Sequence, residues 1–129
     1  MRILHLKGKV FSGKSEGAKF VALPWVEKQI VEKLGFVPYP GTLNIRLTNE
    51  SGRLMETFQT VKPIEISPAQ GFYSGKCFNA LLMDTVECVI VIPEIAGYPK
   101  DVLEVVASIR LRDKLHLKDG DMVEVTITF

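Results

Sequence analysis

Along most of the chain apolar residues recur at every second position, the period of a strand that turns one face inward. In the opening segment Leu4, Leu6 and Val10 share a face with Gly8 between them, and His5, Lys7 and Lys9 take the other. Leu43, Ile45 and Leu47 repeat the pattern, as do Val123, Val125 and Ile127 against Glu124, Thr126 and Thr128. Val86–Ile92 is nearly all apolar, as expected of a strand buried on both faces. A hairpin of 77–83 with 86–92, turning at Asp84-Thr85, would set Cys77 opposite Ile92. One segment changes period: Val26, Ile30, Val31 and Leu34 fall close to one helical face, with Glu27, Lys28, Glu32 and Lys33 mostly outside. Pro24 opens that helix and Gly35 stops it. A shorter helical turn is expected around Leu111–Leu115. The next residues, Leu117-Lys118-Asp119-Gly120-Asp121, read as a tight turn into the last strand. Many short strands with turn signals between them, and one main helix, predict a mainly β fold, a small closed β-barrel. Closure removes sheet edges that would invite aggregation.

The 129 residues contain no linker, repeat or low-complexity stretch and are expected to form a single domain, 1–129. An apolar content of 47% argues against disorder, and a formal net charge of +1 argues against binding nucleic acid or membrane through bulk charge. No apolar run is long enough to span a bilayer, and the alternating N-terminus makes a poor signal peptide, so a cytoplasmic location is expected. Cys77 and Cys88 make no disulfide framework and read as buried free thiols.

Residues 8–15, Gly8-Lys9-Val10-Phe11-Ser12-Gly13-Lys14-Ser15, match the letters of the P-loop signature. The context does not match. Gly17, the run Phe20–Leu23 and Pro24 follow at once, leaving no room for the helix that a P-loop needs. Gly13 and Gly17 could still aim backbone N–H groups at an anion, with Lys14, Lys19, Ser12 and Ser15 as further donors. A glycine-rich surface turn fits the same letters. In Pro40-Gly41-Thr42-Leu43-Asn44, a strand puts Thr42 and Asn44 on one face about 6.5–7 Å apart. Two neutral oxygens at that spacing suit a Mg²⁺ that brings its own phosphate ligands. On spacing alone, a strand face open to water is the better reading. Glu104 interrupts the apolar run Val102–Val106, either as a solvated outer residue or as a carboxylate held in a pocket. It is a candidate to orient an alcohol, with Glu16, Asp101 and Glu94 as rivals. His5 and His116 are isolated, and Trp25 and the phenylalanines read as core.

In order along the chain, Gly8–Gly17, Leu34-Gly35-Phe36-Val37-Pro38-Tyr39-Pro40-Gly41-Thr42-Leu43-Asn44, Val91-Ile92-Pro93, Val102–Ala107, Leu111-Arg112 and Leu117–Asp121 resemble the archaeal CTP-dependent riboflavin kinases. The resemblance covers nearly the whole chain. It implies a six-stranded cradle-loop (riboflavin-kinase-like) β-barrel with one main helix and short helical turns. It implies transfer of the γ-phosphoryl group of CTP to the 5′-hydroxyl of riboflavin, giving CDP and FMN, with one Mg²⁺. By resemblance Lys14, Ser15, Glu16, Gly17, Ala18 and Lys19 hold the nucleotide, and Ile109, Arg110, Leu111 and Arg112 form a second nucleotide segment. Thr42 and Asn44 match the metal ligands, and Ala96 and Glu104 match the flavin-contacting positions, with Glu104 as the catalytic candidate. Two departures stand out. Family members often carry glycine where this chain has Ser15. A flavin-contacting threonine falls at Ala96, which has no side-chain hydrogen bond to offer, and Tyr98 is a possible replacement. The alternative is a non-catalytic flavin- or nucleotide-binding sensor barrel, which Ala96 favours; a β-barrel module for protein or nucleic acid is a second. Some family members add an N-terminal DNA-binding domain. This chain starts at the barrel, so no DNA role is expected, and neither is a membrane partner; a monomer is. Residues 48–76 and 93–101 are the expected mobile loops.

Overall fold

The computed structural model describes residues 3–13, 16–54, 61–69 and 71–128. Its strands are β1 (Ile3–Phe11), β2 (Leu43–Leu47), β3 (Ile64–Ile66), β4 (Gly75–Leu82), β5 (Val86–Pro93), β6 (Val102–Val106) and β7 (Met122–Thr128). Its helices are α1 (Glu16–Val21), α2 (Pro24–Leu34), α3 (Asn49–Leu54) and α4 (Leu111–Leu115). Strand order β4-β5-β6-β2-β1-β7, with β7 pairing back onto β4, closes a six-stranded antiparallel barrel. The barrel is closed by the pairs Ala80–Ile127, Leu81–Thr126 and Leu82–Val125. The short β3 takes the first half of the same β4 edge, pairing Ile64–Ile66 with Gly75–Cys77.

The period-two pattern is what fills this barrel. Leu6, Val10, Ile45, Leu82, Ile90, Leu103, Val125 and Ile127 all point inward and are buried. A second apolar layer lies outside the sheet, where Phe20, Val21, Val26 and Ile30 of α1 and α2 cover Cys77, Val89, Val91 and Val106. The strand predicted at Val86–Ile92 is buried on both faces for this reason: Cys88 and Ile90 face the barrel, Val89 and Val91 face the helices. Removing side chains of this size from water stabilises by about 1.5–3 kcal/mol each.

Helix α2 starts at Pro24 and ends at Gly35, whose φ of 80° supplies the left-handed C-cap. It buries Val26 and Ile30, while Val31 is 41% exposed, so the apolar stripe is narrower than the pattern suggested. The turn after α4 forms as expected, and Gly120 donates to the Val10 carbonyl, tying that turn to β1.

Three expectations need correction. The β4–β5 turn uses Met83, Asp84 and Thr85 rather than two residues, with Met83 and Asp84 at positive φ, so Cys77 pairs with Val91 and not Ile92. Both cysteines are free and buried, as read from the sequence. Residues 16–21, judged too cramped for a helix, form the six-residue α1. It is held by its contact surface rather than its length, since Phe20 seats on Gly75, where a Cβ would come within 2.6 Å of the ring. Residues 48–76, expected as loop, include α3 and β3.

Candidate functional site

Register across the sheet assembles the site. Phe11 on β1 pairs with Asn44 on β2, Asn44 with Glu104 on β6, and Glu104 with Val91 on β5. Their neighbours Val10, Ile45, Leu103 and Ile90 face the barrel, so this row lies on the outer surface. Helix α1 crosses it. Glu104 is only 2% exposed, and a buried carboxylate needs strong donors to offset lost hydration. It has them. The Gly17 N–H donates to Oε2 at 2.6 Å, the Tyr98 hydroxyl to Oε2 at 2.6 Å, and the Thr42 hydroxyl to Oε1 at 2.8 Å. The pocket reading of Glu104 holds; of its rivals, Glu16 stands nearby, next to Gly17, while Asp101 and Glu94 are engaged or exposed outside this network. Asp101 pairs with Arg46 at 2.9 Å, Glu16 lies 3.6 Å from Lys19, and Glu94 is exposed.

Gly17 is required by this approach. A Cβ there would fall 2.6 Å from the Glu104 carboxyl carbon. The glycine-bearing segment of the sequence is therefore clamped by its backbone to Glu104 of β6, the same carboxylate that Thr42 reaches from just after Gly41, whose φ is 124°.

The Thr42–Asn44 pair is not a wet strand face. Asn44 is 7% exposed, and among the described residues its Oδ1 is buried without a hydrogen-bond partner. Such an orphan acceptor costs about 1–3 kcal/mol and needs an explanation. The Thr42 hydroxyl, two residues before Asn44, gives its hydrogen to Glu104. Two neutral oxygens backed by a buried carboxylate are a donor set that fits Mg²⁺. Among the described residues no cluster of three His, Cys, Asp or Glu could hold a metal.

The segment 109–112, expected to contact a nucleotide, reaches the same place. Tyr39, Gly41, Thr42, Ile109, Arg110 and Arg112 line one small cleft of about 90 Å³. Leu111 is 5% exposed and its side chain belongs to the core, so it can offer a ligand only its main chain. Arg112 ties this segment to the end of β1 and the glycine-bearing segment after it. Its Nη2 donates to the Phe11 carbonyl at 3.3 Å, to Ser12 Oγ at 3.2 Å and to Asp119 Oδ1 at 2.7 Å. The Arg112 bond to Asp119, and then the Ser12 hydroxyl, which donates to the same Oδ1 at 2.9 Å, hold the Asp119 carboxyl below its usual range. Lys14 and Ser15 lie outside the described residues. Ala18 is half-buried on α1, and Lys19 is exposed.

Ala96, expected at a flavin-contacting position, is exposed, and Tyr98 two residues on reaches Glu104. Burial, then the hydrogen bond to Glu104, pushes the Tyr98 phenol up. Burial and the charges of Glu16 and Glu104 push the Tyr73 phenol up as well. Tyr73 stacks on Phe20 at 5.5 Å. Tyr73 carries no signal in the sequence, because nothing local says that a distant segment delivers it beside Phe20 of α1. A pocket of about 500 Å³ between the end of α2 and the outer faces of β4, β5 and β7 contains no residue of this network.

Comparison with known proteins agrees with this geometry. The model of the family named CTP-dep_RFKase, described as a domain of unknown function, DUF120, matches residues 10–127. A riboflavin kinase of Methanosarcina barkeri is 41% identical over 97% of this chain and 57% of its own length. One of Archaeoglobus fulgidus is 43% identical over 96% of this chain and 54% of its own, and one of Pyrobaculum aerophilum 41% over 96% and 60%. The chain thus spans a little over half the length of these relatives. With a closed six-stranded barrel and a matched segment that runs from β1 to β7, the chain belongs to the CTP-dependent riboflavin kinase family.

Proposed function

We propose that this protein is a CTP-dependent riboflavin kinase, transferring the γ-phosphoryl group of CTP to the riboflavin 5′-hydroxyl to give FMN and CDP. The observation that carries the reading is Glu104. One buried carboxylate accepts from the phosphate loop at Gly17 and from the metal-pair strand at Thr42, so loop and strand meet at one point. The relatives' names supply the substrate, and the family's name supplies the donor.

In this reading the backbone of residues 16–19, together with Lys14, Ser15 and the charge of Lys19, holds the phosphates. Ile109 to Arg112 contact the nucleotide from the other wall, on the base side. Thr42 Oγ1 and Asn44 Oδ1 would hold one Mg²⁺. When bound, that ion supplies neutralisation of the phosphate charge. Glu104 orients the alcohol and stands within the site to take its proton. Phosphoryl transfer asks little covalent chemistry of a protein, so positioning and electrostatics carry the rate. Cytoplasmic location and a monomeric state belong to the same proposal. Among the described residues no helix is long and apolar enough to cross a membrane.

The test is incubation with riboflavin, Mg²⁺ and each nucleoside triphosphate in turn. FMN formed with CTP is the expected result. No FMN with any donor removes the enzyme claim, and FMN with ATP but not CTP removes the donor claim. Tight flavin binding without turnover would instead support a sensor barrel, the reading that Ala96 favours.

A further inference from the structure

Glu104 is sealed. It is 2% exposed, and a phenol and a backbone amide both sit on the oxygen Oε2. A carboxylate that orients a substrate alcohol must show that alcohol an accepting oxygen. Of its donors among the described residues, the Gly17 amide is fixed in a helix that packs on the sheet, and Thr42 is fixed by the strand it opens. Tyr98 is different. It sits in the segment between β5 and β6, which is pinned at its ends by Glu94 N–H to the Ser74 carbonyl and by Leu47 N–H to the Asp101 carbonyl. Among the described residues, the hydrogen bond that ties 95–100 to the barrel is the phenol itself; the Tyr98 N–H closes a local turn on Ile95. Gly97, with φ 80°, stands next to it as a backbone that can change course.

We infer that Tyr98 is a placeholder for the substrate hydroxyl: its phenol occupies on Glu104 Oε2 the position the alcohol takes, and leaves when the alcohol arrives. The chemistry is matched, since one neutral O–H donor replaces another and the carboxylate is never stranded. This keeps a buried charge hydrogen-bonded in the empty site and makes entry depend on a ligand that carries a hydroxyl. A flavin ring without a hydroxyl-bearing chain cannot make the exchange. The inference rests on the kinase reading, and it makes Tyr98 a positioning residue that selects for an alcohol.

Tyr98→Phe keeps the ring and removes the donor. Binding constants from flavin fluorescence, together with KM and kcat, are compared for wild type and variant. Lumiflavin, with a methyl group in place of the ribityl chain, is the control ligand. A placeholder predicts that riboflavin binds the variant more tightly, by roughly tenfold for one hydrogen bond to a charged group. Lumiflavin affinity stays unchanged, and kcat changes less than about threefold. A phenol that merely holds Glu104 in place predicts the reverse, a fall in kcat with riboflavin affinity unchanged or weaker, and that result overturns the inference. Independently, ¹⁹F spectra of fluorotyrosine-labelled protein, in which Tyr98→Phe identifies the resonance, should show it move with riboflavin and not with lumiflavin. A resonance that ignores riboflavin also overturns it. Wild type that binds riboflavin and makes FMN while the variant fails these tests leaves the kinase reading standing. Wild type that neither binds riboflavin nor makes FMN removes both.

Discussion

Gly17→Ala is the sharpest single perturbation of this site. In a helix, alanine is normally better than glycine by about 0.5–1 kcal/mol. Here the new Cβ would fall 2.6 Å from Glu104 Cδ and Oε2. The carboxylate has no easy retreat, because it is buried on β6 between Asn44 and Val91. Either α1 lifts or Glu104 turns, and both break the 2.6 Å bond from the Gly17 N–H. Loss of a hydrogen bond to a buried charge costs about 1.5–3 kcal/mol, and overpacking adds about 1–3 kcal/mol. Subtracting the propensity gain leaves a net loss of about 1.5–5.5 kcal/mol. Gly52→Ala is the matched control. Gly52 also lies in a helix, α3, but nothing stands within 4 Å of its Cβ position. That variant should gain up to about 1 kcal/mol. Urea unfolding of both variants, with CTP binding by calorimetry, reads the difference. If Gly17→Ala matched Gly52→Ala in stability and kept nucleotide affinity, the close approach of loop and carboxylate would not exist, and the site as drawn would be wrong.

Asn44→Leu should raise stability by about 1–2 kcal/mol, because it removes an orphan buried oxygen, while abolishing FMN formation; a stable, fully active variant would show that Asn44 holds no metal. Asn44→Ala should lose activity while remaining folded by circular dichroism. Arg112→Met should weaken CTP binding with little change in unfolding free energy, since its ion pair with Asp119 is largely at the surface; unchanged CTP affinity would detach that segment from the nucleotide. Burial pushes the Cys77 and Cys88 thiols up to about 12, so the folded protein should react slowly with Ellman's reagent at pH 8 and quickly in guanidinium. Because the folded state holds these protons more tightly than the unfolded chain, with its thiol pKa of about 8.5, their contribution is complete at neutral pH. It is lost as pH rises toward about 12, by about 1.4 kcal/mol per unit for each thiol. A Cys77→Val, Cys88→Ala double variant should flatten that alkaline slope, and an equal slope would mean the thiols are not buried.

The sequence by itself determined which residues face the barrel. Leu43, Ile45 and Leu47, like Val123, Val125 and Ile127, alternate because a strand has period two, and no distant contact is needed to read that. Pro24 and Gly35 bounded α2 because their backbone restrictions are local. The resemblance likewise picked out Thr42, Asn44 and Glu104 by their order along the chain. Only the tertiary structure decided what covers the outward faces. Thr-x-Asn reads as a wet strand edge until the register lays Glu104 beside Asn44 and α1 closes over the row. Glu104 reads as a solvated charge until Gly17, Thr42 and Tyr98, which lie 87, 62 and 6 residues away along the chain, each bring it a donor. The β4–β5 register slipped by one because a three-residue turn with two positive-φ residues, neither of them glycine, leaves no clear mark in the letters. Helix α1 went unforeseen because six residues cannot hold a helix on propensity alone. Its stability comes from Phe20 seated over Gly75, a contact between segments 55 residues apart. Alternation along a chain encodes a side chain's direction, but burial depends on what another segment places above it.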